Sequence, residues 1–161
     1  MTPLLKIGDP APDFSAMAIG GPYGNGTPFT LSSLRGSRVV LYFYPKDDTP
    51  GCTSQACSLR DNYPFFTESG VFVFGISADS LQSHSKFQQM HGLPFPLLSD
   101  ESREIIHSYG VWVEKSMYGK KYMGIERSSF LIGTDGNFAG IYRKVKPAEH
   151  TKILLAGLGI S

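Results

Sequence analysis

The chain has almost no cysteine: two in 161 residues, Cys52 and Cys57. So sparse a pair excludes the disulfide-stapled scaffolds of small secreted proteins. Neither sign of charge is in excess. Lys and Arg number 15 against 14 Asp and Glu, a net charge of +1. Such a balance carries no electrostatic footprint for nucleic acid, and no basic cluster marks an anionic membrane surface. Long hydrophobic runs are missing too. The apolar stretches are of strand length, well short of the ~20 residues a membrane helix needs. The start of the chain, "MTPLLKIGDPAPDF", lacks a charged region followed by an apolar one, so a signal peptide is not expected. Repeats, linkers and low-complexity segments are also absent. What is left is the expectation of a soluble, cytoplasmic protein with a single domain over 1–161, long enough to bury a core without cross-links. A cysteine pair that folding does not need is a candidate for chemistry.

Between Gly8 and Arg35, prolines and glycines break the chain into short extended pieces joined by turns. "GGPYGNG" fits no phosphate-binding loop and reads as a hairpin turn. "VVLYFY" (39–44) and "VFVFGISA" (71–78) are continuous apolar runs, the pattern of strands buried on both faces. The segment between them reads as helical, interrupted near Pro64, with Asn62 a candidate cap for a second piece. Residues 79–92 read as a helix with an Asp or Ser cap and a terminal Gly92. "PFPLLSD" is short and extended, and "DESREIIHSYG" is a second capped helix. "SSFLIGTDGNFAGIYRKV" is a hairpin around Asp135-Gly136. "PAEHTKILLAGLG" closes the chain as a helix. Strands alternating with helices predict an α/β fold, a central mixed sheet flanked by helices.

Both cysteines fall where the first buried strand hands over to a helix, in "YPKDDTPGCTSQACSLRD". Thr49-Pro50-Gly51-Cys52 reads as a helix start, with Thr49 as N-cap, Pro50 at N1 and Cys52 at N3. The sulfur then lies near free backbone N–H groups and the positive end of the helix dipole, which favours thiolate over thiol. Asp47 and Asp48 oppose that effect, so a cation must offset them. Lys46 and an arginine from elsewhere are the candidates. Cys57 is five residues on. In a continuous helix the Cα atoms of i and i+5 are ~8.5 Å apart, beyond the ~7 Å that a disulfide spans. The spacing suggests that Cys52 reacts first and Cys57 follows once the helix start unwinds. Cys57 taken alone reads equally as a small buried hydrophobe. His84, His91, His107 and His150 have no metal-ligand spacing, and structural or solvent-facing roles are expected for all four. No metal or other cofactor is implied.

The stretch "YPKDDTPGCTSQAC" resembles the peroxiredoxin pattern P-x-x-x-T-x-x-C. It is more closely similar to the branch called bacterioferritin comigratory protein, or peroxiredoxin Q. "GDPAPDF", "LPFPLLSD", "YGVW", "MYGKKYMGIERSSFLI" and "RKVK" match further landmarks, so the resemblance runs from about Leu5 to Leu155. It implies a thioredoxin-like fold with N-terminal β additions. It implies that Cys52 is the peroxidatic cysteine, that the Thr49 hydroxyl bonds the peroxide and that Pro45 shields the sulfur from water. Arg127, in "GIERSSF", would hold the thiolate and polarise the peroxide, and Cys57 would be the resolving cysteine. Ser129 stands where Thr is usual, the N-terminal turn region is longer than usual, and Pro64 falls where the family continues a helix.

The resemblance further implies a thiol-dependent peroxidase that reduces hydrogen peroxide and organic hydroperoxides. Its route is a Cys52 sulfenic acid and a Cys52–Cys57 disulfide, recycled by thioredoxin or a similar dithiol. Family members are monomers or dimers, and a monomer or weak dimer is expected here. Two rivals stand beside this reading. A thiol–disulfide oxidoreductase would use CxxC, which is absent. A redox-responsive binding protein would use the cysteine pair only to expose surface.

Overall fold

The computed structural model of the protein describes residues 5–160. Nine strands and four α-helices follow one another in the order β1 (Ser15–Ile19), β2 (Thr27–Thr30), β3 (Arg38–Phe43), α1 (Pro50–Glu68), β4 (Val71–Ser77), α2 (Leu81–His91), β5 (Leu97–Ser99), α3 (Glu104–Ser108), β6 (Trp112–Met117), β7 (Lys120–Ile125), β8 (Ser128–Ile132), β9 (Phe138–Tyr142) and α4 (His150–Gly157). Seven strands form one sheet in the order β2-β1-β5-β4-β3-β8-β9. β3, β4 and β5 run parallel. β8 joins β3 antiparallel, and the β1–β2 hairpin joins β5 antiparallel, so the sheet is mixed as expected. The fold is thioredoxin-like with the β1–β2 hairpin added. Among the described residues no helix is long and apolar enough to cross a membrane.

Strand β3 shows why the sheet lies at the centre. Side chains alternate across a strand. Val39, Leu41 and Phe43 enter one core with Phe74, Ile106, Tyr109 and Phe130. Val40, Tyr42 and Tyr44 enter the other, with Cys52, Ala56, Leu59, Phe66, Phe87 and Leu154. α1, α2 and α4 therefore cover the Tyr42 face. Cys52 is one of its buried members.

Three expectations need correction. The helix is not interrupted near Pro64: α1 is continuous from Pro50 to Glu68, with the proline inside it. Asn62 caps nothing, and its side chain donates to the Ser58 carbonyl at 2.8 Å. Leu59 and Phe66, two turns apart, are both buried against the sheet. Burying a side chain such as Phe66 is worth about 1.5–3 kcal/mol, comparable with the ~3 kcal/mol that an interior proline costs. Tertiary packing thus carries the helix through. The second correction is the β6–β7 hairpin, which the sequence reading does not contain. Its turn, Tyr118-Gly119, is left-handed at both residues (φ 53° and 79°), the geometry of a two-residue hairpin turn. The helix expected in "DESREIIHSYG" is real but short. A cap is expected there, but Arg103 sits at its start and makes no side-chain cap.

Candidate active site

The β3–α1 junction builds the site. Thr49 is extended (φ −93°, ψ 153°) and precedes Pro50, the first residue of α1. Its carbonyl accepts the first helical bond, from Thr53 N–H at 2.8 Å. Its hydroxyl does not cap the helix; it donates to the Lys46 carbonyl at 2.9 Å. The first amides of a helix have no intrahelical acceptor, and Cys52 stands among them, 2% exposed. Its sulfur is buried under the helix start, not presented on its surface.

Arg127 reaches this sulfur from the connection between β7 and β8. Its Nη2 donates to Cys52 Sγ at 3.4 Å, and Nη1 donates to Gln55 Oε1. One planar fork thus holds the sulfur and a side chain one turn further along the same helix. The Arg127 carbonyl accepts from Val145 N–H at 2.9 Å, which anchors the backbone behind the fork. Gly51 makes the approach possible. A β-carbon at that position would stand 3.1 Å from Arg127 Nη2.

Of the residues expected from the sequence, Cys52 and Arg127 are in direct contact. Thr49 is the N-cap three residues ahead of the sulfur. Pro45 is half-buried in the loop between β3 and α1. Cys57 is half-buried on the same unbroken helix, and both thiols are free. Lys46 is exposed, and the groups paired with Asp47 and Asp48 are histidines of α2.

Four further features of the site's surroundings went unread in the sequence. Gln55 is fully buried, and only its place three residues after Cys52 on one helix face signals it. Asp47 and Asp48 are each met by a histidine of α2: His84 Nδ1 stands 2.7 Å from Asp47 Oδ2, and His91 Nε2 stands 3.5 Å from Asp48 Oδ1. His150, from α4, shares a hydrogen bond with the Ser129 hydroxyl through Nε2. Burial, with help from the Arg127 charge, pushes the His150 pKa down to about 3, so the ring is neutral. Tyr42 lies beneath the site, stacked on Tyr44 with ring centroids 5.4 Å apart. Burial raises its hydroxyl pKa well above the usual value; the charges of Cys52 and Asp47 add to this and that of Arg127 opposes it. Cys52, Asp47 and Arg127 therefore act on one neighbourhood.

A buried thiol at a helix N-terminus, bonded to a fixed guanidinium, is equipped for nucleophilic attack. The guanidinium and the free amides of the helix start are also donors for negative charge that develops on a leaving oxygen.

Comparison with known proteins agrees with this chemistry. The family model described as "AhpC/TSA family" matches residues 7–140. The putative peroxiredoxin bcp of Coxiella burnetii is 45% identical over 146 residues, 91% of this chain and 93% of that protein. Peroxiredoxin Bcp of Bacillus subtilis is 44% identical, covering 91% and 90%. Among solved structures, Xanthomonas campestris peroxiredoxin Q superposes with a TM-score of 0.83 at 39% identity, covering 91% of this chain and 89% of that one. A structural study of the bacterioferritin comigratory protein of the same organism concerns its alkyl peroxide reduction activity (38% identity, TM-score 0.83, covering 91% and 90%).

Proposed function

The chain belongs to the AhpC/TSA family, in its peroxiredoxin Bcp branch, and on that basis we propose the following course for its thiol-dependent peroxidase reaction. Cys52 thiolate attacks the terminal oxygen of a hydroperoxide. A sulfur–oxygen bond forms, the oxygen–oxygen bond breaks, and the sulfur is oxidised to sulfenic acid while the leaving alkoxide or hydroxide takes a proton. Arg127 and the amides at the start of α1 stabilise the charge on that oxygen, while the Thr49 hydroxyl, its proton given to the Lys46 carbonyl, accepts the hydroperoxide's O–H. Pro45 keeps water from the sulfur. Cys57 then attacks Cys52, a disulfide forms, and water leaves. A dithiol reductant such as thioredoxin reopens the disulfide by exchange.

The observation that carries this reading is the 3.4 Å bond from Arg127 Nη2 to Cys52 Sγ at the start of α1. We assign the whole sequence, 1–161, to one domain whose ends lie outside the described residues, and take it to work in the cytoplasm as a monomer or weak dimer. The test is a pair of variants in stopped flow. Cys52→Ser abolishes reaction with hydrogen peroxide. Cys57→Ser undergoes one oxidation at close to the wild-type rate and then fails to turn over with thioredoxin. Equal loss of the first oxidation in both variants would remove the division of roles.

A further inference from the structure

Outside the thiol site, the densest polar cluster lies where α2 meets the β3–α1 loop. His84 is fully buried. Its Nδ1 stands 2.7 Å from Asp47 Oδ2, and its Nε2 stands 2.9 Å from the Leu98 carbonyl oxygen. A carbonyl and an ionised carboxylate only accept, so against an ionised Asp47 both ring nitrogens must donate, the arrangement of an imidazolium. Asp47 is buried as well. It accepts from the Tyr44 hydroxyl at 2.6 Å and the Ser83 hydroxyl at 2.8 Å. Its backbone N–H donates to Asp79 Oδ2 at 2.8 Å, and the Ser77 hydroxyl donates to the same oxygen at 2.6 Å. Ligand atoms of Asp47, Asp79 and His84 lie within 4.8 Å of one another. These hydrogen bonds engage all three side chains, and within them His84 and Asp47 form the ion pair.

We propose that His84 is a positioning residue for the thiol reaction: by pairing with Asp47 it cancels a negative charge near Cys52 and fixes the loop that starts α1. This rests on the reading of Cys52 as the sulfur that peroxide oxidises. Two observations carry it. Asp47 is held by the Tyr44 hydroxyl, and Tyr44 packs in one buried cluster with Cys52, so an unpaired Asp47 would oppose the thiolate that Arg127 favours. The loop is also short and tightly tied. Lys46, next to Asp47, accepts the Thr49 hydroxyl, and Asp48 takes a left-handed φ of 58° on the way to the N-cap. Holding Asp47 by side chain and backbone together sets where α1 begins.

The first test uses the reduced wild-type protein. Long-range nitrogen-15 NMR at pH 7 should give both His84 ring nitrogens the imidazolium signature, and a neutral tautomer would overturn the proposal. The second test uses oxidation of Cys52 by hydrogen peroxide in stopped flow. His84→Asn keeps a donor toward Asp47 but no charge, and the rate constant should fall about tenfold. Adding Asp47→Asn to it removes the stranded anion and should recover most of that loss, although the network is further disrupted. An unchanged rate in the single variant, or a double variant no faster than the single, would overturn the charge role. Should His84→Asn fail to fold, the nitrogen signature decides on the wild-type protein alone. Failure of the thiol reading itself would appear elsewhere, as a Cys52→Ser variant that still reacts with peroxide, and leaves the His84 signature unchanged.

Discussion

Arg127 Nη2 donates to Cys52 Sγ at 3.4 Å across 75 positions of sequence. The contact joins the start of one helix to a strand connection in the other half of the chain. Neither residue does chemistry at its own address. Arg127, and not the exposed Lys46 of the β3–α1 loop, is the cation in contact with the sulfur, and Gly51 leaves room for it.

Arg127→Ala should therefore slow oxidation of Cys52 by hydrogen peroxide about 100-fold, the size of effect seen when a donor to developing negative charge is removed. Arg127→Lys should recover only part, because an ammonium cannot serve Gln55 and the sulfur with one planar fork. Gln55→Ala should cost about tenfold, the worth of one hydrogen bond to a charged group. Stopped-flow rate constants measure all three. A wild-type rate in Arg127→Ala would take the guanidinium out of the reaction.

The central strands and the helix start were legible because they obey local rules. β3 and β4 are unbroken apolar runs, and Thr-Pro-Gly-Cys has the order a helix N-terminus prefers. The β6–β7 hairpin was illegible because Met117, Tyr118, Tyr122 and Met123 are all exposed. With apolar side chains facing solvent, no alternation marks the strands, and Tyr-Gly is a weaker turn signal than Asn-Gly. Pro64 misled because its local penalty is offset by Phe66, whose burial depends on β4. The histidines opposite Asp47 and Asp48 are seven residues apart on α2. That spacing acquires meaning only once the loop is laid across the helix.

Gly75, on β4, is required by Tyr42. A β-carbon there would lie 2.8 Å from the Tyr42 ring and hydroxyl and 2.9 Å from Leu97 Cδ2. Gly75→Ala should destabilise the protein by about 1–3 kcal/mol, the usual cost of overpacking. Urea unfolding measures it, and an unchanged midpoint would mean that Tyr42 moves aside freely.

Acid should weaken the fold through His150. Burial holds its pKa at about 3, against 6.5 for the ordinary side chain. Between those values the unfolded chain binds a proton that the folded chain does not, so stability is complete above pH ~6.5 and falls as pH drops toward 3. The loss approaches a few kcal/mol at the acid end. Urea unfolding free energies at pH 7, 5.5 and 4.5 should fall more steeply for wild type than for His150→Gln. Parallel slopes would mean that the ring is protonated in the native protein.

The last expectation concerns motion. Cys52 and Cys57 lie on one continuous helix, where Cα atoms five residues apart are separated by ~8.5 Å, too far for a disulfide. A Cys52–Cys57 disulfide would have to unwind the start of α1. The first turn has few intrahelical bonds to lose, but Cys52, Gln55 and Ala56 are buried there, and the Arg127 fork must release both its partners. Further along, Leu59 and Phe66 pack on the sheet, and the Ser58 hydroxyl shares a 2.8 Å bond with Thr151 of α4. Unwinding should therefore run from Thr49 to about Ser58 and stop there. Amide exchange in the disulfide form should accelerate over 49–58, while the later turns of α1 and strands β3 and β4 stay protected. Ser58→Ala should let the fast region extend toward Asn62. Equal protection of 49–58 in reduced and oxidised protein would mean that the disulfide forms without melting the helix, and that the five-residue spacing does not set the order of the two thiols.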